Sequence, residues 1–120
     1  MRVVADVLVG LVALVHVYIL VLEMFLWTRP AALRAFGFQP DFARATTTMA
    51  ANQGLYNGFL AAGLVWGLVA GGSLRVPVLT FFLLCVLVAG VYGAATVNRR
   101  ILFVQSVPAA LALAAVLVAG

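Results

Sequence analysis

The sequence predicts an all-α polytopic membrane protein with four transmembrane helices in an antiparallel bundle, and three observations predict it. Of the 120 residues, 67% are hydrophobic and only 8% are charged, whereas a soluble domain carries about 25% charged residues. The mean hydropathy of +1.24 is that of a chain whose main solvent is lipid. Read with the charged connectors as punctuation, the chain falls into four apolar stretches at 3–27, 47–70, 76–97 and 101–118. Each is near the ~20 residues that a helix needs to cross the hydrocarbon. No linker or low-complexity tract divides them, so residues 1–120 are expected to form one domain.

The first stretch is longer than the ~7–15 apolar residues of a secretion signal and lacks a small-residue cleavage site, so it is expected to stay in the mature chain. Trp27, at its inner end, fits an interfacial anchor. The long connection 28–45 contains an Arg-Pro and a Gln-Pro-Asp-Phe turn flanking a short interfacial half-helix, Ala31 to Phe36. From it Phe36 and Phe38 are expected to dip into the headgroups. The second helix carries two small-residue pairs, Gly54/Gly58 and Gly63/Gly67, suited to close helix packing. Gly71-Gly72-Ser73 makes a tight second connection, and the Arg99-Arg100 link makes the third and fourth helices antiparallel neighbours. In the fourth, Pro108 lacks an N–H and leaves a carbonyl near Val104 in need of a partner, which Gln105, Ser106 or water can supply.

Charge sets orientation and narrows the partners. The net charge is +4, but the seven arginines are scattered through short connectors, which excludes a nucleic-acid face. Five of them, Arg29, Arg34, Arg44, Arg99 and Arg100, lie on one side, and Arg2 and Arg75 on the other. The positive-inside bias then puts both termini outside a bacterial inner (cytoplasmic) membrane and both arginine-bearing loops in the cytoplasm. There the arginines meet anionic lipid headgroups. Asp6 is expected to reach water at the outer interface. The single Cys85 forms no internal disulfide and is expected to serve as a small packing residue.

The polar side chains concentrate in one layer. At ~1.5 Å per residue, Glu23 lies about 6 Å and His16 about 16 Å from the inner boundary, and the two differ by only about 20° around the helix. Asn52, Gln53, Tyr56 and Asn57 enter on the first three turns of the second helix, Tyr92 and Thr96 near the cytoplasmic end of the third, and Gln105 and Ser106 just past Arg100. A polar pocket in the cytoplasmic half of the membrane is the simplest arrangement that satisfies them all.

The stretches Leu22 to Trp27, Ala35-Phe36-Gly37 and, above all, Ala51 to Ala61 with its Asn52-Gln53-Gly54-Leu55-Tyr56-Asn57-Gly58 core resemble a family of small bacterial integral membrane proteins. That family is catalogued as a domain of unknown function, number thirteen-hundred-and-four. The resemblance covers nearly the whole chain and implies a membrane location and four helices; it implies no activity.

An ionisable side chain inside a membrane marks a site by default. His16, Glu23 and Tyr56 are therefore the candidate proton-handling groups, and Trp27, Asn52, Gln53, Asn57, Tyr92 and Gln105 the candidate ligand-binding groups. The competing reading is interhelical glue, at about 0.6–2 kcal/mol per hydrogen bond. One His and one distant Cys give no metal-ligand spacing, though haem, which needs one axial His, remains open through His16. The first functional expectation is a pocket protein that takes a small or lipophilic ligand from the inner leaflet, extending to an isomerase or cyclase. The alternatives are a small proton-coupled exporter acting as an oligomer, and an accessory subunit whose glycine faces dock a larger complex. The glycine pairs also favour a homo-oligomer.

Overall fold

With no charged residue between Asp6 and Glu23, the first apolar stretch has nothing to interrupt it, and it forms a single helix, α1, Arg2–Met24. It heads a computed structural model that describes all residues 1–120 and contains helices and turns but no strand. The other elements are α2 (Pro30–Phe36), α3 (Pro40–Ala45), α4 (Thr47–Ala70), α5 (Gly72–Thr96), a π-helical turn (Leu102–Ser106) and α6 (Val107–Ala119). Three helical stretches are long and apolar enough to cross a membrane: Arg2–Met24, Gly72–Thr96 and Leu102–Ala119. The expected fourth, α4, has the length at 24 residues. Its first three turns carry Asn52, Gln53, Tyr56 and Asn57, which shortens its apolar run.

Helix ends differ from expectation at three places, each for a local reason. The first helix stops at Met24 rather than Trp27, because the amides of Phe25 and Leu26 both turn back onto the Val21 carbonyl, at 3.0 and 3.2 Å. In the long connection, Pro40 does not mark a turn but opens α3. Proline is at home in the first helical turn, where its missing N–H is no loss, and Asp41 suits the positive end of the helix. The fifth helix begins at Gly72, ahead of Pro77, because Gly71 and Gly72, at φ of 64° and 54°, complete the reversal in two residues.

The chain divides into two compact units, residues 15–59 and residues 1–14 with 60–120. In the first, the connection folds back on itself around Trp27. Trp27, Ala43 and Ala50 are buried, with Leu33, Phe36 and Phe38 packed against them. Trp27 lies 5.0 Å from Phe36 and 5.5 Å from Phe38 between ring centroids, and Phe38 lies 4.7 Å from Phe42. Phe36 and Phe38 therefore make a small aromatic core with Trp27. The Trp27 indole N–H donates to Thr46 Oγ1 at 3.0 Å, and the Thr46 hydroxyl in turn donates to the Phe42 carbonyl at 2.8 Å. Trp27 is thus the buried keystone of the connection.

In the other unit the core is drawn from α1 (Ala5, Val9, Val12, Ala13), α4 (Leu64), α5 (Leu79, Leu83, Val86) and α6 (Ala109, Ala112, Ala115, Val116). Glycines set the spacing. A Cβ on Gly63 would strike the Phe82 ring, and one on Gly67 would strike Leu79. At Gly90 it would meet Ser106 Oγ and, at 2.9 Å, the Ser106 backbone nitrogen. The Ser106 hydroxyl uses that closeness to donate to the Leu87 carbonyl at 3.1 Å. In the widened turn that ends at Ser106, just ahead of Pro108, the Val107 amide reaches five residues back to the Leu102 carbonyl. Asp6 does not reach out alone, because the buried Arg75 guanidinium pairs with its carboxylate at 2.5 Å.

Gly90→Ala is expected to lower the thermal midpoint in detergent by several degrees, since backbone stands in the way of the added methyl. Gly10→Ala, where a Cβ meets nothing within 4 Å, is expected to leave it unchanged or slightly raised. Asp6→Ala, which strands the Arg75 charge, is expected to cost about 3 kcal/mol in denaturant titration.

Candidate functional site

Unit 15–59 holds most of the polar residues singled out in the sequence, and it is organised by the approach of the end of α1 to the start of α4. Gly54 makes that approach possible. A Cβ there would lie 2.5 Å from Met24 Cγ, and 3.2 Å from both Glu23 Cβ and the Leu20 carbonyl. One turn on, a Cβ at Gly58 would lie 2.8 Å from Leu20 Cδ1. The Gly54/Gly58 pair is therefore filled by the chain's own first helix, just as Gly63/Gly67 is filled by α5. Neither glycine face is open to a partner, which corrects the expectation that these faces dock a larger complex or a second copy.

Asn57 stands on the α4 face that Gly54 and Gly58 press toward α1, and its Nδ2 donates to Glu23 Oε1 at 2.6 Å. The same nitrogen donates to the Gln53 backbone carbonyl at 3.1 Å. Glu23 and Asn57 are both half-buried. The pair joins residues 34 apart in sequence, and in an apolar setting such a bond to a carboxylate is among the stronger kind.

Within α4 the remaining candidates turn away from α1. Asn52, Gln53 and Tyr56 lie on the exposed side of α4, with Tyr56 edge-on to Phe59 at 5.9 Å. Periodicity accounts for this: positions 52, 53 and 56 share one face, while 54, 57 and 58 share the other. His16 is completely buried, at 0% exposure, so its ring has no opening to a macrocycle or substrate in this conformation. Trp27 is held in the aromatic core described above. Tyr92 and Gln105 belong to the other unit. There Tyr92 is 71% exposed, at the end of a shallow apolar hollow that it shares with Leu87, Val88, Val91 and Ala95. Gln105 is half-buried beside Gly90. No three His, Cys, Asp or Glu side chains come together as a metal site.

Sequence reasoning did not find the Asp6–Arg75 pair or the enclosure of Trp27. The signal for the second was present in the Pro30 and Pro40 helix starts, which fold the connection into two short helices instead of one. The glycine periodicity also carried a signal that singles out Asn57, since it lies between Gly54 and Gly58 on the packed face.

Helices alone, three of them of membrane length and apolarity, with polar side chains tied to one another inside the chain, define a membrane-associated helical protein. The chain belongs to the DUF1304 family, described as a protein of unknown function, whose pattern matches residues 10–117. The uncharacterized protein YpaA of Lactococcus lactis subsp. lactis (strain IL1403) is 31% identical over 105 residues, which cover 86% of this chain and 87% of that relative. No solved structure is significantly similar to the chain.

Trp27→Phe, which keeps the ring packing but removes the donor to Thr46, is expected to cost about 0.5–1.5 kcal/mol. Trp27→Ala is expected to cost about 3–5 kcal/mol. Denaturant titration of the two variants beside wild type separates the hydrogen bond from the aromatic core.

Proposed function

We propose that this is a four-span protein of the bacterial cytoplasmic membrane that binds a small amphiphilic ligand at Glu23 and Asn57, in the cytoplasmic half of the bilayer. The observation that carries the reading is the Asn57–Glu23 hydrogen bond, which holds a half-buried carboxylate at the end of an apolar helix. A carboxylate kept at such a position is costly unless it is used.

The α4 helix serves as the fourth span in this reading, with its polar first turns at the cytoplasmic boundary. Both termini then lie outside, and the arginine-bearing connections 28–45 and 98–100 lie in the cytoplasm. The exposed Asn52, Gln53 and Tyr56 supply further hydrogen-bonding groups at the same depth, and a second copy of the chain is one way to cover them. Binding fits the geometry better than isomerase or cyclase chemistry. Polarising a carbonyl or an epoxide needs a donor aimed at the reacting oxygen, and both Asn57 amide hydrogens are already directed at Glu23 and at the Gln53 carbonyl.

Native mass spectrometry and an absorption spectrum of the detergent-purified protein, wild type beside Glu23→Gln, test the reading. A bound mass present in wild type and lost in the variant is expected, with monomer fold and yield retained. Retention of the same mass in the variant would overturn the site. Single cysteines introduced at positions 34 and 99 in a Cys85-free background are expected to react with a membrane-impermeant reagent only after the cells are opened.

A further inference from the structure

The hydrogen-bonding capacity left over at the Glu23–Asn57 pair identifies the kind of ligand it takes; this inference rests on the binding reading above. Of the three acidic residues in the chain, two are paired with arginines: Asp41 with Arg44, and Asp6 with Arg75. Glu23 is paired with no cation. Its one partner in the structure is the neutral amide of Asn57.

The orientation of that amide is fixed by chemistry. The Gln53 backbone carbonyl accepts and cannot donate, so the atom of Asn57 that faces it at 3.1 Å must be the nitrogen. An amide nitrogen has two hydrogens, and here one goes to Gln53 and the other to Glu23 Oε1. What remains unfilled on the pair is Asn57 Oδ1 and Glu23 Oε2. Both are acceptors when Glu23 is ionised, on neighbouring side chains, and the chain supplies that carboxylate with no counter-ion. A ligand that offers only acceptors or a negative charge finds no complement here. A ligand with several N–H donors and a positive charge completes both oxygens and neutralises the carboxylate.

The surroundings add a second requirement. The aliphatic side chains of Leu20 and Met24 close the α1 side of the pair where Gly54 and Gly58 meet it. The pair also lies at the last turn of an apolar helix. The head of the ligand is therefore hydrophilic and its body apolar. We infer that Glu23 Oε2 and Asn57 Oδ1 form a receptor for the primary ammonium group of an amphiphile, whether a free lipophilic amine or the headgroup of an aminolipid.

The test uses the full chain in detergent with three probes of one length, n-octylammonium, n-octanoate and methyl octanoate, each titrated below its micellar concentration and read by native mass spectrometry. Wild type is expected to retain octylammonium and neither of the others. Glu23→Gln, which keeps an acceptor for Asn57 but removes the charge, is expected to bind it at least about tenfold more weakly, the scale of a hydrogen bond to a charged group. Glu23→Asp is expected to restore part of the loss, which separates a charge requirement from a folding defect.

Binding of octanoate or methyl octanoate in preference to the ammonium, still lost in Glu23→Gln, would overturn the ligand class and leave the site standing. Octylammonium binding undiminished in Glu23→Gln would overturn the site and the class together. Nanodiscs containing mixed phosphatidylethanolamine and phosphatidylcholine distinguish the two sources. Selective carry-over of phosphatidylethanolamine by wild type but not Glu23→Gln assigns the headgroup. Octylammonium binding with no such carry-over assigns the free amine.

Discussion

Close contact through residues without side chains is the interaction on which this structure depends. In lipid, helices gain nothing by hiding apolar surface from one another, because the acyl chains are as apolar as leucine. What holds them is van der Waals contact at short range, and short range requires glycine or alanine. The chain uses glycine three times for this. Gly54 and Gly58 let α4 meet the end of α1, Gly63 and Gly67 let it meet α5, and Gly90 lets α5 meet the turn before α6. Alanines at 109, 112 and 115 do the same work along α6. Each of these five glycines lies where a Cβ would strike a neighbour, so these positions record where the backbone is nearest to another helix.

Close approach has a second effect, which is to bring short polar side chains within reach of one another. Asn57 meets Glu23 because Gly54 and Gly58 stand on either side of it, and Ser106 meets the Leu87 carbonyl because Gly90 gives way to it. Arg75, almost fully buried, survives because Asp6 neutralises it. Polar groups in this chain thus follow the small residues. The same coupling explains why the π-helical turn is tolerated: the widened backbone at 102–106, just ahead of Pro108, keeps Ser106 turned toward α5.

The functional consequence lies in the difference between the three acids. Two are satisfied by arginine within the chain, and the third is satisfied only by an amide that has no hydrogen left to give. Glu23 is therefore the one acidic group with no cation beside it in the chain. Its place at the end of the first apolar helix was legible in the sequence, because the arginine-rich connection that follows marks where that helix stops. The choice of Asn57 over Asn52 or Gln53 as its partner was legible only through the glycines at 54 and 58 that share its face. All three lie on the first turns of one helix, and depth alone does not separate them.

Sequence by itself determined the existence and order of the long helices, the apolarity that suits three of them to a membrane, and the family to which the chain belongs. Those properties follow from local composition: uninterrupted apolar runs, prolines and glycines that start and stop them, and charges confined to connectors. Tertiary structure decided which face of each helix turns inward. It turned Asn57 toward Glu23 and left Asn52, Gln53 and Tyr56 outside, folded Trp27 into an aromatic core, and paired Asp6 with Arg75. The physical reason is that a helix bound for lipid is apolar on every side, so its pattern carries little record of which face is packed. That face is chosen by fit, through backbones close enough to touch at glycine, and fit exists only between helices already placed in space.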